Sequence, residues 1–311
     1  MRQNGGTPVF VIPHYCRSAA SWDHLHATVD SLLRQSDPGW HAVVADDASP
    51  GPDVQHGLER IRAIDPERIT VIRAGSRGGP GARRNDGVRW AARRGAPFVL
   101  FQDSDDLAHP ERLRRTRRLL DERPDIDMVY SSFSVIDETG TVVPRRELTP
   151  SVQEILESHE NPLQGPAAWI PIGVERGYTT LTSTVSVRTA LAAQHPFPAT
   201  HVAEDDHAWF RLLAAGDGLG FLPDTEAAYR IPRAGQGSAS RDEHGSSFYW
   251  ASALMAADGF SRALAIAERR GTVDAAESES LRRRFHDRLA VTMHREGVTE
   301  LAAALRALTL P

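Results

Sequence analysis

Lysine is absent from the 311 residues, so all 36 basic side chains are arginines, and cysteine occurs once, at Cys16. A single thiol excludes an intramolecular disulfide framework and any multi-cysteine zinc site. Standing at the end of an apolar run, Cys16 reads as a packed or pocket-lining thiol. The missing lysine reads as a high-GC codon bias. No apolar stretch approaches the ~20 residues of a transmembrane helix, and no GxxxxGK[ST] phosphate loop occurs. The apolar part of "MRQNGGTPVFVIPHYC" is too short for a secretory signal, which points to a cytoplasmic protein. A net charge of -5 gives no electrostatic reason for nucleic-acid binding. What is present, 41% hydrophobic and 25% charged residues, is the composition of a soluble globular chain with material for one large domain or two modest ones.

Apolar runs alternate with helical patterns through the first half. "PVFVIPHY", "WHAVVADDAS", "RITVIRAG", "PFVLFQDSDD" and "IDMVYSSFSVID" read as strands. Between them lie four helical stretches. "SWDHLHATVDSLLRQ" has Trp22, Leu25, Val29, Leu32 and Leu33 at helical spacing behind a Ser21 cap. "VQHGLERIRAI" follows, then "GARRNDGVRWAARRG" with Gly95 as its stop, then "PERLRRTRRLLDERP" with Pro110 in its first turn. The arginines of the last stretch read as a solvated face. The alternation predicts a doubly wound, mostly parallel α/β sheet with helices on both faces.

Polar clusters fall at the strand ends. "PHYCR" ends the first strand, "DDAS" the second, and Asp103, Asp105 and Asp106 the fourth, the edge where open α/β sheets bind ligands. Three carboxylates within four positions repel one another unless a cation offsets them, and oxygen-only ligands suit Mn²⁺ or Mg²⁺. "SRGGPGARRN" offers glycine-rich backbone and Arg83, Arg84 and Asn85 at a helix start, which favours an anion. Further on, "HVAEDDHAWFRLLAAG" starts a helix with Glu204, Asp205 and Asp206 in its first turn, where acids also simply complement the helix dipole.

"VFVIPHYCR", "VVADDAS", "GGPGARRNDGV", "FQDSDD" and "EDDHAWFRL" together resemble, in order and spacing, the family 2 inverting glycosyltransferases of the GT-A fold, over roughly residues 8 to 235. The resemblance implies a transfer from a nucleotide sugar, with UDP favoured, to an acceptor hydroxyl or amine of a small molecule or glycan. It implies that Pro13, His14, Tyr15, Arg17 and Asp46 hold the nucleoside, with Asp46 reading the base. Arg84 stands beside the nucleotide, Asp103-Ser104-Asp105 matches the DXD motif with Asp105 and Asp103 at an Mn²⁺ or Mg²⁺ ion, and Asp205 is the general base. His14, Cys16 and Ala48 stand where Thr or Ser, Asn and Gly are frequent. Pro232 stands where some members carry a histidine, so water, the diphosphate and the aspartates would complete a metal shell.

The implied organisation is a catalytic domain over 1–240, with a nucleotide-sugar half to about 135 and an acceptor half over 136–240, and a helical C-terminal extension over 241–311. Trp169, Tyr178 and the Thr/Ser-rich stretch after it are candidates for acceptor contact, with core packing the alternative. The apolar stripes of the extension suit packing on the catalytic domain or on another subunit, hence a homo-oligomer. A nucleotide-sugar-binding module without turnover is the alternative function, opposed by retention of Asp105 and Asp205. A phosphoacceptor receiver domain would need a lysine that this chain lacks.

Overall fold

The computed structural model describes residues 6–177, 179–232, 239–245 and 247–308. The first half alternates strands and helices: β1 (Val9–His14), α1 (Ala19–Leu33), β2 (His41–Asp46), α2 (Val54–Ile64), β3 (Ile69–Arg73), α3 (Gly79–Arg93), β4 (Phe98–Phe101), α4 (Arg112–Glu122) and β5 (Met128–Ile136). Then come α5 (Pro150–Ser158), the single turn α6 (Trp169–Pro171), β6 (Ser186–Arg188), α7 (Thr189–Gln194), α8 (Glu204–Ala215) and β7 (Leu219–Arg230). Helices α9 (Ala239–His244), α10 (Ser247–Arg270), α11 (Ala275–Arg295) and α12 (Thr299–Ala307) follow.

Among the described residues seven strands form one sheet, ordered β3-β2-β1-β4-β6-β5-β7. β3, β2, β1 and β4 are parallel, whereas the short β6 runs antiparallel to both β4 and β5. β1, β2 and β4 are buried along almost their whole length, which is why they read as continuous apolar runs. The chain divides into two compact units. One comprises Met1–Ser134, Leu181–His201 and Leu222–Tyr229; the other comprises Val135–Thr180, Val202–Phe221 and Arg230–Pro311.

In the first unit Phe10 and Ile12 of β1, Leu25, Val29 and Leu32 of α1, and Leu113 and Leu120 of α4 belong to one core cluster. Two helix starts differ from the sequence expectation. Ser18, not Ser21, caps α1, and Ser21 at the third helical position turns its hydroxyl back to accept from the backbone N–H of Ser18 (3.2 Å) and Arg17 (3.1 Å). α4 starts at Arg112 behind Glu111, so Pro110 precedes the helix. In the Thr/Ser-rich stretch, Thr182–Thr184 form a 3₁₀ turn and only Ser186–Arg188 form a strand, β6.

In the second unit α10, α8 and α11 share an aromatic centre. Phe260 stacks on Phe285 at 4.3 Å and 9°, and Phe210 meets both edge to face. Trp169 is buried 5.3 Å from Phe260, so it belongs to this core. Tyr178 lies outside the described residues.

Gly87 sets how near α3 approaches β1. A Cβ there would fall inside the van der Waals shell of the fully buried Val11. Helix propensity alone makes Gly87→Ala stabilising by ~1 kcal/mol, but overpacking costs ~1–3 kcal/mol. We expect urea unfolding to show a net loss of stability. A gain would mean that the strand gives way freely.

Candidate functional site

The sheet edge expected to bind a ligand is formed by the C-terminal ends of β1, β2 and β4. The β1–β2 register pairs His14 with Asp46, and Gln102 after β4 donates its backbone N–H to Val11 at 3.1 Å. The turns after these three strands therefore start side by side. His14 is almost fully buried with its ring 5.0 Å from Trp22, and neither ring nitrogen has a hydrogen-bonding partner among the described residues. Burial lowers its pKa to about 4, although Asp46 pulls the other way, so the imidazole is neutral at physiological pH. Pro13 is buried and Arg17 exposed. Tyr15 lies under the Arg77 guanidinium, 4.0 Å from its ring centre. The Cys16 N–H donates to the Ser49 hydroxyl at 2.8 Å, and burial raises the thiol's pKa.

Asp46 is wholly buried. It accepts from the backbone N–H of Ser49 at 3.1 Å and from the Ser49 hydroxyl, and Arg73 Nε lies 3.2 Å away. Between them Ala48 takes a left-handed backbone, φ 54°, which glycine would adopt without strain.

Asp47, which the sequence reading passed over, caps the glycine-rich loop. Its two oxygens accept from the N–H groups of Gly78 (2.8 Å) and Gly79 (2.9 Å), and Arg83 Nε lies 3.4 Å away. The anion expected at the start of α3 is thus the protein's own carboxylate. Arg83 serves that carboxylate and Asp86 (2.9 Å), and Asn85 exchanges two hydrogen bonds with the backbone of Phe197.

The acidic turn after β4 is held by cations and hydroxyls from within. Arg84, buried, donates to Asp103 Oδ1 at 2.7 Å. The Asp103 N–H donates to the Ser183 hydroxyl at 3.0 Å, and that hydroxyl donates to the fully buried Asp106 carboxylate. Ser104 and Asp105 form the tip and are half-buried.

Beneath the turn lies Arg112, which corrects the expectation of a solvated arginine face. It is 1% exposed and donates to Gln102 Oε1 and to the carbonyls of Phe101 and Val185, each at 2.9 Å. Burial lowers its pKa to about 9, with Asp106 and Asp103 pulling it back up. It stays charged at neutral pH.

The other candidate, Asp205, stands in the second unit at the start of α8. Ala203 before the helix is left-handed at φ 52°, Glu204 is buried, and Asp205 and Asp206 are half-buried. The helix is tied to α10 by His207, whose Nε2 lies 2.7 Å from Asp258 while Nδ1 accepts from Arg211 Nε at 3.1 Å. Burial lowers the His207 pKa, opposed by Asp258. Gly259 permits the approach: a Cβ there would lie 2.6 Å from His207 Cα. Neither tie carried a signal that sequence spacing could reveal.

The glycosyl transferase family 2 model matches residues 9–179, more than half of the chain. The chain belongs to that family. It is 32% identical over 139 residues to the protein y4gI of Sinorhizobium fredii, covering 45% of this chain and 14% of y4gI. It is 24% identical over 209 residues to TuaG of Bacillus subtilis, named for teichuronic acid biosynthesis, covering 67% of this chain and 74% of TuaG. The chain thus spans about a seventh of the length of one curated relative and three quarters of the other.

Two solved structures are similar along 97% of this chain. S. aureus TarS 1-349 in complex with UDP-GlcNAc has 18% identity, 90% coverage of TarS and a TM-score of 0.59. The mannosyltransferase PcManGT of Pyrobaculum calidifontis, in complex with GDP-Man and Mn²⁺, has 17% identity, 74% coverage and a TM-score of 0.58. At those identities the likeness establishes the fold alone, the GT-A arrangement expected from the motifs, and the glycosyltransferase domain rests on the family match. Among the described residues no helix is long and apolar enough to cross a membrane.

His14 generates a pH dependence. Its folded pKa of about 4 lies below the ~6.5 of an unfolded chain, so the unfolded state binds more protons between those values. Stability is therefore full above pH ~6.5 and falls as pH drops toward 4. Other lowered histidines, His109, His159, His207 and His286, add to the slope. Denaturant titrations at several pH values should give His14→Gln a shallower slope in this window than the native chain, by up to ~3 kcal/mol across it. Parallel slopes would mean that His14 titrates normally.

Proposed function

We propose that the protein is an inverting, divalent-metal-dependent glycosyltransferase using a nucleotide sugar, with a UDP-linked donor favoured. The observation that carries the reading is the gathering of His14, Asp46 and the Asp103-Ser104-Asp105 turn at one sheet edge by the β1–β2 and β1–β4 registers. The UDP-GlcNAc bound by TarS and the GDP-Man and Mn²⁺ bound by PcManGT support this donor class.

The chain's own groups divide the work. Pro13, His14, Tyr15, Arg17 and Asp46 take the nucleoside. Because Ser49 and Arg73 already engage Asp46, the base is read through whatever acceptor capacity its carboxylate keeps. Arg84 holds Asp103 in place and supplies positive charge near the diphosphate. Asp105, with Asp103, would hold Mn²⁺ or Mg²⁺. Among the described residues no three acidic, histidine or cysteine side chains form a closed metal cage. Two carboxylates suit an ion that takes its remaining ligands from a diphosphate and water. A metal held by these residues would supply Lewis acidity to offset charge on the departing diphosphate.

Asp205 accepts the acceptor's proton as the anomeric carbon is attacked from the face opposite the leaving group, in a single displacement. The catalytic domain is assigned to 1–240 with the helices of 241–311 as its extension, and the cytoplasm is the proposed compartment.

Calorimetry with UDP tests the metal assignment: Asp105→Ala should abolish the Mn²⁺-dependent part of binding and leave the metal-independent part. Retained metal dependence removes Asp105 from the metal site. Asp205→Asn keeps shape and loses basicity, so turnover should fall ~10²–10⁴-fold while donor affinity stays within about threefold. Near-normal turnover in that variant would sink the general-base assignment. Donor binding without turnover in the native chain would favour a binding module.

A further inference from the structure

Phe197 stands between two prolines, in "HPFPAT". Pro196 has a fixed φ and no N–H, and a residue before proline, here Phe197 before Pro198, is confined to extended backbone. The tripeptide therefore offers a single N–H donor, that of Phe197, and presents it rigidly. Asn85 of α3 engages both polar groups of this residue. Its Oδ1 accepts from the Phe197 N–H at 2.8 Å, and its Nδ2 donates to the Phe197 carbonyl at 3.0 Å. The two residues are 112 positions apart in the chain and lie in the same compact unit.

The buried ring of Phe197 touches the supports of both members of the Arg84–Asp103 ion pair. The Arg84 guanidinium carbon lies over it, 5.5 Å from the centroid. Phe101, the last residue of β4, meets it edge to face at 5.2 Å and 79°. Arg84 and Asn85 are consecutive on α3, so that helix holds Phe197 by its ring and by its backbone at once. Asp103 follows Phe101 by two residues, and its N–H donates at 3.0 Å to the hydroxyl of Ser183, which belongs with Phe197 to the Leu181–His201 stretch of the first unit. Within the pair the Arg84 side chain is 3% exposed and that of Asp103 27%, so the carboxylate is the member open to a ligand. A cation within ~6 Å of an aromatic centroid is attracted by the ring quadrupole, and more strongly where water is excluded.

We propose that Phe197, held in place by Asn85, is a positioning residue for the Arg84–Asp103 pair and acts through that pair on metal-dependent nucleotide binding. The inference rests on the reading of Asp103 and Asp105 as metal ligands. A guanidinium packed on a fixed ring has one favoured direction, and the carboxylate that accepts from it at 2.7 Å inherits that direction. Without the ring, water reaches Arg84 and weakens the pair, and Asp103 loses the partner that orients it. Phe197 itself touches neither metal nor nucleotide. Its loss therefore shows in the metal-dependent share of nucleotide binding, and only while Arg84 is present. Core packing against Phe101 alone would leave that share intact, or cost the same with and without Arg84.

Calorimetry on the full chain with UDP, in the presence and absence of Mn²⁺, gives the metal increment as the ratio of the two affinities. Phe197→Leu keeps an apolar side chain and removes the aromatic face. The increment should fall ~3–10-fold, the size of one partly buried cation–π contact, while metal-free affinity stays within about twofold. Arg84→Gln removes the pair, and adding Phe197→Leu to it should change the increment by less than about twofold, since residues that act as one unit are non-additive. Asn85→Ala frees the Phe197 backbone and should follow the same pattern, and it carries the test if circular dichroism shows Phe197→Leu unfolded. An unchanged increment, an equal loss with and without Arg84, or unfolding of both variants overturns the proposal. If the native chain binds UDP without any Mn²⁺ dependence, the metal-site reading fails and the positioning role falls with it. If that dependence is present and lost in Asp105→Ala but untouched by Phe197→Leu and Asn85→Ala, only the positioning role fails.

Discussion

A guanidinium with almost no access to water is the constraint around which the acidic turn is built. Arg112 lies at the start of α4; its Nη1 reaches Gln102, and its Nη2 reaches both the last residue of β4 and the residue before β6. A buried charge is tolerated only where such partners replace water, so the arrangement locks the end of β4, the returning segment before β6 and α4 to one another. The turn holding Asp103, Ser104, Asp105 and Asp106 leaves the sheet directly from this anchored segment. Asp106 and Asp103 in turn keep Arg112 charged against the cost of burial. Acids and cation are mutually required, which explains how three carboxylates persist within four positions.

The same logic recurs along the sheet edge. Asp46 meets Arg73 and Ser49, Asp47 meets two amides and Arg83, and Asp103 meets Arg84. Each strand end thus carries its own local neutralisation. In the second unit His207 serves a comparable purpose with Asp258, fixing the helix that bears Asp205. Except at Asp103, whose partner Arg84 is also given a part in the proposed transfer, rigidity at the candidate residues comes from neighbours that do not themselves take part in it.

Much of this fold was legible in the sequence, because strands buried on both faces must be apolar throughout and the helices between them must show a stripe. The parallel order of the first four strands and the placing of the polar motifs at their ends followed from that alternation, and family 2 membership from the order of the motifs. The use of individual charges was not legible. In "PERLRRTRRLL" every arginine looks alike, yet Arg112 is buried because its acceptors lie 11 and 73 positions away at Phe101 and Val185. Asp46 and Asp47 are adjacent and chemically identical, and only the path of the loop around residues 78 and 79 decides which caps it. Ser18 displaced Ser21 as the cap of α1 because either serine satisfies the local pattern and the approach of the chain from β1 chose between them. Trp169 packs in the core through Phe260, a partner 91 positions on, which no local window contains.

The Asp47 cap makes the start of α3 self-occupied. A tethered carboxylate competes for the Gly78 and Gly79 amides at an effective concentration set by covalent connection, of millimolar order or above, whereas a free phosphate or nucleotide competes only at its cellular level. The most inviting anion seat in the sequence is therefore insulated from the many small anions of the cell, and a phosphate group must be recognised elsewhere on the strand-end surface.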